Sequence, residues 1–396
     1  LDPGPKADLF RLRTAETIDW MLADMRSVDD PAAPFAFVSA YDADSEGVEG
    51  KYYVWAEAEI DALLGHDAAT FKQAYDVTPG GNWEGNTILN RSADAEFGNP
   101  EREAVLERCR TILLPERSKR VPPMRDDKVL VDWNGLAVAS LTKAAAVFGR
   151  PDWLATAAGV FAFIRENLTD GDRLFHTWCA GKAAHPGVLE DYANLARAAL
   201  ALHQATGDTT YLANAQSLTV VLDRHFWDAD NGGYFMAADD TADLLTRSKP
   251  VHDNAVPCGN GTMVEVLARL YHLTGDALYR DRADALITAL APEEVNNLAH
   301  QTTFQTGFEI LENAVQVIVA GSGNAAAALT AAALASGHPR LVLLRTIDGT
   351  DLPAGHPATD KGPVDGTAAA YLCTGATCSL PMTEPAALSQ ALTTQT

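Results

Sequence analysis

The sequence has 396 residues, 47% hydrophobic and 21% charged, the balance of a globular protein with a sizeable core. Its 30 Lys and Arg against 53 Asp and Glu give a formal net charge of -23, which argues against nucleic acid and anionic membranes as partners. No apolar run reaches the ~18 residues of a membrane-spanning helix, the opening LDPGPKADLF is no signal peptide, and the chain reads as cytoplasmic.

In chain order, TAETIDWMLADM reads as the second helix of a hairpin whose first half is absent, followed by a turn-rich link with aromatics, PAAPFAFVSA. Next comes an acidic strip of Asp42, Asp44, Ser45, Glu46 and Glu49. D-A-D-S-E-G resembles the start of a calcium loop, but an EF-hand needs Glu at its twelfth position and Tyr53 stands there. A site-forming loop or a solvated acidic turn remains. Trp83 and Glu84, between Asn82 and Asn86, suit either a sugar platform or a buried indole with its acceptor. Asp126, Asp127 and Lys128 suit an acid/base set or a structural ion-pair cluster.

An internal repeat begins here. FGRPDWLATAA, TGDTTYLANAQ and TGDALYRDRAD each place an aromatic four residues after a Gly: Gly149, Gly207 and Gly275. A long apolar-periodic stretch precedes each Gly, which ends the helix and turns the chain back antiparallel. The unit is therefore a helical hairpin recurring roughly every 60 to 70 residues. The first helices, near 132–148, 189–206 and 258–274, are Ala- and Leu-rich on nearly every side and belong inside a ring sheathed by the second helices.

If they run in parallel, their N-termini open on one rim. Asp132, Trp133 and Asn134, then Glu190, Asp191 and Tyr192, then Asn260 would gather there, as polar and aromatic groups do in carbohydrate sites. Asp132 and Asp191 also sit where helix caps belong. Glu190 and Asp191 are the first choice for chemistry. Consecutive helical residues point ~100° apart, so only one should aim into the ring. A glycosidase would set one of them against Asp42, Asp44 or Asp253. An epimerase would need a base, often His; the rim offers His176 and His252, both read as solvated loop residues. Arg247 and Lys249, beside Asp253 and Asn254, could grip an anionic or phosphorylated ligand or simply offset the acidic mouth.

From Val315 the character changes to strand–helix–strand. Gly321, Gly323 and Ala326 match G-x-G-x-x-A, with Asp348 downstream, but the unit is single where a nucleotide fold repeats it, so no cofactor is expected. The five Cys include no C-x-x-C pair, and no metal site is read from spacing. Cys373 and Cys378 could bridge if the geometry allows, but two free thiols are the expected state in a cytosolic protein.

The runs YDADSEGVEGKYYVW, YDVTPGGNWEGNTIL, PPMRDDKVLVDWNGL, LEDYANL, RSKPVHDNAVPCGN and AYLCTGATCSLP resemble the family of thioredoxin-domain proteins related to spermatogenesis-associated protein 20. The resemblance runs from about the tenth residue to the end. It implies a thioredoxin-like domain followed by a six-hairpin α/α barrel, related to glycosidases and N-acylglucosamine 2-epimerases. Here the thioredoxin domain and the first part of the barrel, with its His-Phe-Glu-Lys-Met stretch, are missing. The fold expected is mainly α: an (α/α)6 six-hairpin glycosidase-like barrel over 1–313, incomplete at its N-terminus, and a small α/β segment over 314–396. The expected function is a carbohydrate-active domain of glycosidase or epimerase type, binding a sugar or sugar phosphate. The alternative is a non-catalytic scaffold or client-binding domain serving a thioredoxin module. The missing N-terminal segment or a second subunit would cover the exposed inner helices.

Overall fold

The computed structural model describes residues 7–28, 30, 32–94, 99–242, 244–294, 300–349, 352, 355–375 and 377–395. The chain forms two compact units, Leu1–Arg26 with Val38–Asp127, and Ser27–Phe37 with Lys128–Thr396. No helix among the described residues is long and apolar enough to cross a membrane.

The first unit holds α1 (Ala7–Asp24), β1 (Ala40–Tyr41), β2 (Asp44–Ser45), β3 (Val48–Glu49), α2 (Glu57–Leu64), α3 (Ala68–Tyr75), α4 (Pro100–Arg117) and β4 (Arg125–Asp126). The acidic strip is a β-hairpin. β2 pairs with β3, and its turn residues Glu46 and Gly47 both have positive φ, 53° and 75°, the twist that a two-residue hairpin turn needs. Helices α2 to α4 pack around Trp55, Ile60, Phe71 and Leu106. They were not legible beforehand, because α2 and α3 are only 8 residues each and α4 is highly charged with Pro115 inside it.

The second unit contains the hairpins. Strand β5 (Val129–Leu130) leads into α5 (Val131–Phe148), which pairs with α6 (Pro151–Asn167). Strands β6 (Thr169–Asp170), β7 (Arg173–Cys179) and β8 (Lys182–Pro186) then lead to α7 (Leu189–Thr206) and α8 (Thr209–His225). After a long link come α9 (Gly259–Thr274), α10 (Ala277–Glu294) and α11 (Thr302–Asn313). Gly149, Gly207 and Gly275 close the three first helices in the left-handed conformation, their N–H groups donating to Ala145, His203 and Tyr271 carbonyls. Helices α5, α7, α9 and α11 pack in series as an inner wall, with α6, α8 and α10 behind the first three. These helices form the expected mainly α, α/α-hairpin architecture.

The wall is tight. A Cβ on Gly135 of α5 would lie 2.7 Å from the Asn194 carbonyl carbon of α7, and one on Gly307 of α11 2.6 Å from the Glu265 nitrogen of α9. Glycine lets these helices touch backbone to backbone.

Strand β9 (Val315–Ala320), α12 (Gly323–Ala335) and parallel β10 (Leu341–Thr346) form the expected strand–helix–strand, extended by antiparallel β11 (Ala369–Thr374) and β12 (Thr377–Cys378) and covered by α13 (Pro385–Thr393). Gly321 serves packing: a Cβ there would meet Ala368 at 2.9 Å. The sheet seats against the C-terminal ends of α7 and α9. Leu343 N–H donates to Gln204 Oε1 at 2.8 Å, and Arg269 donates to the Leu341 carbonyl at 2.8 Å. Cys373 and Cys378 are not free thiols as expected. The β11–β12 register sets them opposite each other, and they form a disulfide.

The tight wall makes opposite predictions for two glycine substitutions. Gly135→Ala must push α5 from α7 and should cost ~1–3 kcal/mol in chemical denaturation. Gly159→Ala, on exposed α6 with nothing within 4 Å, should instead stabilise by ~0.4–1 kcal/mol. Equal effects would remove the close-approach argument.

Candidate functional site

Three of the inner helices, α5, α7 and α9, begin alike: Asp132-Trp133-Asn134, Glu190-Asp191-Tyr192 and Cys258-Gly259-Asn260. The third position of each set braces the preceding link. Asn134 accepts from Phe37 N–H at 2.8 Å and donates to the carbonyls of Phe37 (2.9 Å) and Leu130 (2.8 Å). Asn260 repeats this with Tyr234, accepting at 2.8 Å and donating at 2.9 Å, and also donates to the Pro250 carbonyl. Tyr192 does the same job with its hydroxyl, which accepts from Leu174 N–H at 2.9 Å. These three expected ligand residues are buried and spend their polar atoms on backbone.

The first two positions behave differently. Asp191 is fully buried, and both its oxygens are in use. Oδ1 accepts from Asp132 N–H at 3.0 Å, across to α5, and Oδ2 from Val188 N–H at 2.8 Å, capping its own helix. The same carboxylate holds His176 Nδ1 at 2.9 and 3.0 Å. Glu190 points the other way: its Oε1 accepts from Gly259 N–H at 3.2 Å, at the start of α9. Neither carboxylate was expected to serve a neighbouring helix. The ~100° between them sends one to each flank. Glu190 Oε2 is buried with no hydrogen-bond partner among the described residues.

His176 corrects the expectation of a solvated loop residue. It lies in β7, and the β7–β8 hairpin folds it back over the start of α7. Its side chain is 29% exposed, and Nε2 has no partner among the described residues. The Asp191 carboxylate raises the imidazole pKa above its ordinary value. Burial raises Asp191 itself, to about 6, although His176 pulls the other way. Burial also lifts the Asp132 and Glu190 carboxyls above the usual range. The result is an imidazole held on a fixed carboxylate, flanked by two carboxyls whose pKa values burial raises.

One donor atom each from Asp132, His176 and Asp191 lie within 4.8 Å of one another, a spacing a cation would accept. The donors fit hydrogen bonding better. Both Asp191 oxygens already take backbone N–H groups, and the His176 nitrogen facing them supplies the proton of that contact.

The other expected residues are dispersed. Trp133 is 41% exposed beside Asp132. Arg247 donates to the Ala237 and His225 carbonyls and lies over the Phe235 ring, and Lys249 pairs with Asp228 at 2.6 Å. Asp253 accepts from Cys258 N–H at 2.9 Å and Thr303 N–H at 2.8 Å, tying α9 to α11. All three brace loops. Lys128 is exposed. Asp42, Asp44, Trp83, Glu84, Asp126 and Asp127 belong to the first unit. There Asp42 accepts from Asp44 N–H, Asp127 pairs with Arg125, Asp44 and Glu84 are exposed, and Asp126 lies in β4.

Residues 141–318 match the family model described as N-acylglucosamine 2-epimerase. Spermatogenesis-associated protein 20 of Homo sapiens is 28% identical over 424 residues, covering 90% of this chain and 52% of its own length. The Rattus norvegicus protein is also 28% identical, with the same coverage. The chain thus spans about half the length of these curated relatives. Among solved structures, cellobiose 2-epimerase from Bacillus thermoamylovorans covers 41% of this chain and 44% of its own, at 13% identity and a TM-score of 0.35. A family 76 glycoside hydrolase from Bacteroides thetaiotaomicron covers 71% and 56%, at 13% identity and 0.38. The chain is thus similar to spermatogenesis-associated protein 20 along most of its length, and the segment that carries the His176–Asp191 pair matches the N-acylglucosamine 2-epimerase model.

Proposed function

We propose that the inner-helix rim binds a carbohydrate and performs an epimerase-type proton transfer, with His176 as the base. The observation that carries this is the hydrogen bonding of His176. Buried Asp191 holds Nδ1, while Nε2 stays partly exposed and unpartnered among the described residues. That arrangement orients an imidazole and leaves its other nitrogen to work. In an open-chain sugar, the C–H beside the carbonyl would lose its proton to Nε2, and the electron pair would pass into an enolate. Return of a proton to the opposite face inverts the carbon. Glu190, whose carboxyl burial holds above the ordinary range and whose Oε2 is unpartnered, is the acid at hand. The family match over 141–318 supports the same reading. A hydrolase would use Glu190 too, protonating a glycosidic oxygen.

The two chemistries separate in heavy water. Incubating the protein with aldoses, N-acylhexosamines and disaccharides should place deuterium at the carbon beside the carbonyl, seen by proton NMR. His176→Asn should reduce that exchange ~10²–10⁴-fold, the usual contribution of a general base. Release of new reducing ends without deuterium would favour the hydrolase, and neither signal with any sugar would end the carbohydrate reading.

A test of the pair needs no substrate. Asp191 favours the charged imidazole, so removing that anion disfavours it. In an NMR titration the His176 pKa should stand above its ordinary value in the parent and drop in Asp191→Asn. An unchanged His176 titration would mean that the carboxylate does not hold it.

A further inference from the structure

A cavity lies toward the other ends of the same helices. It has a volume of about 270 Å³ and is bounded by α5, α7, α9, α11 and the turn between α12 and β10. Its wall gathers three cations, Lys143, Arg197 and Arg269, around one carboxylate, Glu265. The formal local charge is +2, in a chain whose net charge is -23.

Structural pairing accounts for only part of this cluster. Glu265 is buried, and Arg269 Nε donates to its Oε1 at 2.8 Å. Arg269 also reaches the Leu341 carbonyl, tying α9 to β10. Arg197 and Arg269 together hold the buried Glu265 carboxyl below its ordinary range. Arg197 approaches Glu265 Oε2 at 3.1 Å through Nε alone, and among the described residues its two terminal amino groups have no hydrogen-bond partner. Lys143, exposed while still lining the cavity, makes no hydrogen bond or ion pair among the described residues. Burial, with Arg269 adding its repulsion, lowers the Lys143 pKa. Two unspent cationic groups facing one space repel each other, and a bound anion would offset that repulsion.

We propose that this cavity binds the phosphate group of a small metabolite, held by Arg197 and Lys143. A phosphate dianion matches the +2 charge. The open fork of Arg197 suits two phosphate oxygens, and Lys143 adds a point charge. The cavity lies just below the ~300–1,000 Å³ of ordinary small-molecule pockets, which leaves room for a phosphate with a small appended group and excludes a dinucleotide. The site does not depend on the chemistry at His176.

Inorganic phosphate is the probe, titrated into the full chain by calorimetry at constant ionic strength, with chloride as the reference salt. Saturable binding at one site is expected. Lys143→Gln and Arg197→Gln should each weaken it roughly tenfold or more, the cost of a charge-assisted hydrogen bond. Arg197→Lys, which keeps the charge and loses the fork, should fall between Arg197→Gln and the parent. Lys119→Gln removes the same charge from an exposed pair with Glu116 and should bind like the parent. Should Arg197→Gln fail to fold, Lys143→Gln still decides the matter, because no partner of Lys143 is lost. No saturable binding at millimolar phosphate overturns the proposal. So does a Lys143→Gln protein that binds as tightly as the parent, or a Lys119→Gln protein weakened as much as Lys143→Gln.

Discussion

The organisation of the second unit depends on two adjacent carboxylates that tie three helices together at their starts. Asp191 reaches the first turn of α5, and Glu190 reaches the first turn of α9. Both act on N–H groups that the helices themselves leave unpaired, so the contacts satisfy backbone donors and oppose the positive ends of the helix dipoles. They are possible only because the helices lie unusually close. Gly135 sits against the Asn194 backbone a turn below the Asp132–Asp191 contact. Close packing and capping are thus one constraint: a wider wall would move the cap out of reach.

From that constraint follows the state of the rim. Carboxylates held in place as helix caps are buried, and burial raises their pKa values. The His176 pKa is raised too, but for another reason: it contacts the Asp191 carboxylate, which favours the charged imidazole. A structural cap therefore also orients an imidazole. The third positions show the other outcome. Asn134, Tyr192 and Asn260 instead turn their polar groups to the backbone of a neighbouring link.

Charge divides the inner wall along its length. Carboxyls gather where the helices begin, and Lys143, Arg197 and Arg269 gather in the cavity lower down. The carboxyls sit where helix dipoles favour anions, whereas none of the three cations lies in the last turn of its helix. The α/β segment reinforces the pattern, since the carbonyl of Leu341 and the amide of Leu343 engage the lower ends of α9 and α7. The sheet is part of the wall's support.

Sequence alone determined what depends on neighbours along the chain. The Gly-terminated hairpins, their inner helices to within a residue or so, the strand–helix–strand after Val315 and the place of Glu190 and Asp191 at a helix start were all readable, because periodicity and capping are local. Tertiary structure decided every pairing that crosses between elements. His176 and Asp191 stand 15 residues apart, and only the β7–β8 hairpin returns one over the other. Cys373 and Cys378 bond because of the β11–β12 register. Arg247, Lys249 and Asp253 look like ligand residues in the sequence, yet folding spends them on loops. Lys143 and Arg197 carried no motif, and become notable only when three helices bring them to one cavity. A polar residue's role is set by the partner it meets. A one-dimensional pattern records which groups are available, and packing alone determines which of them remain free.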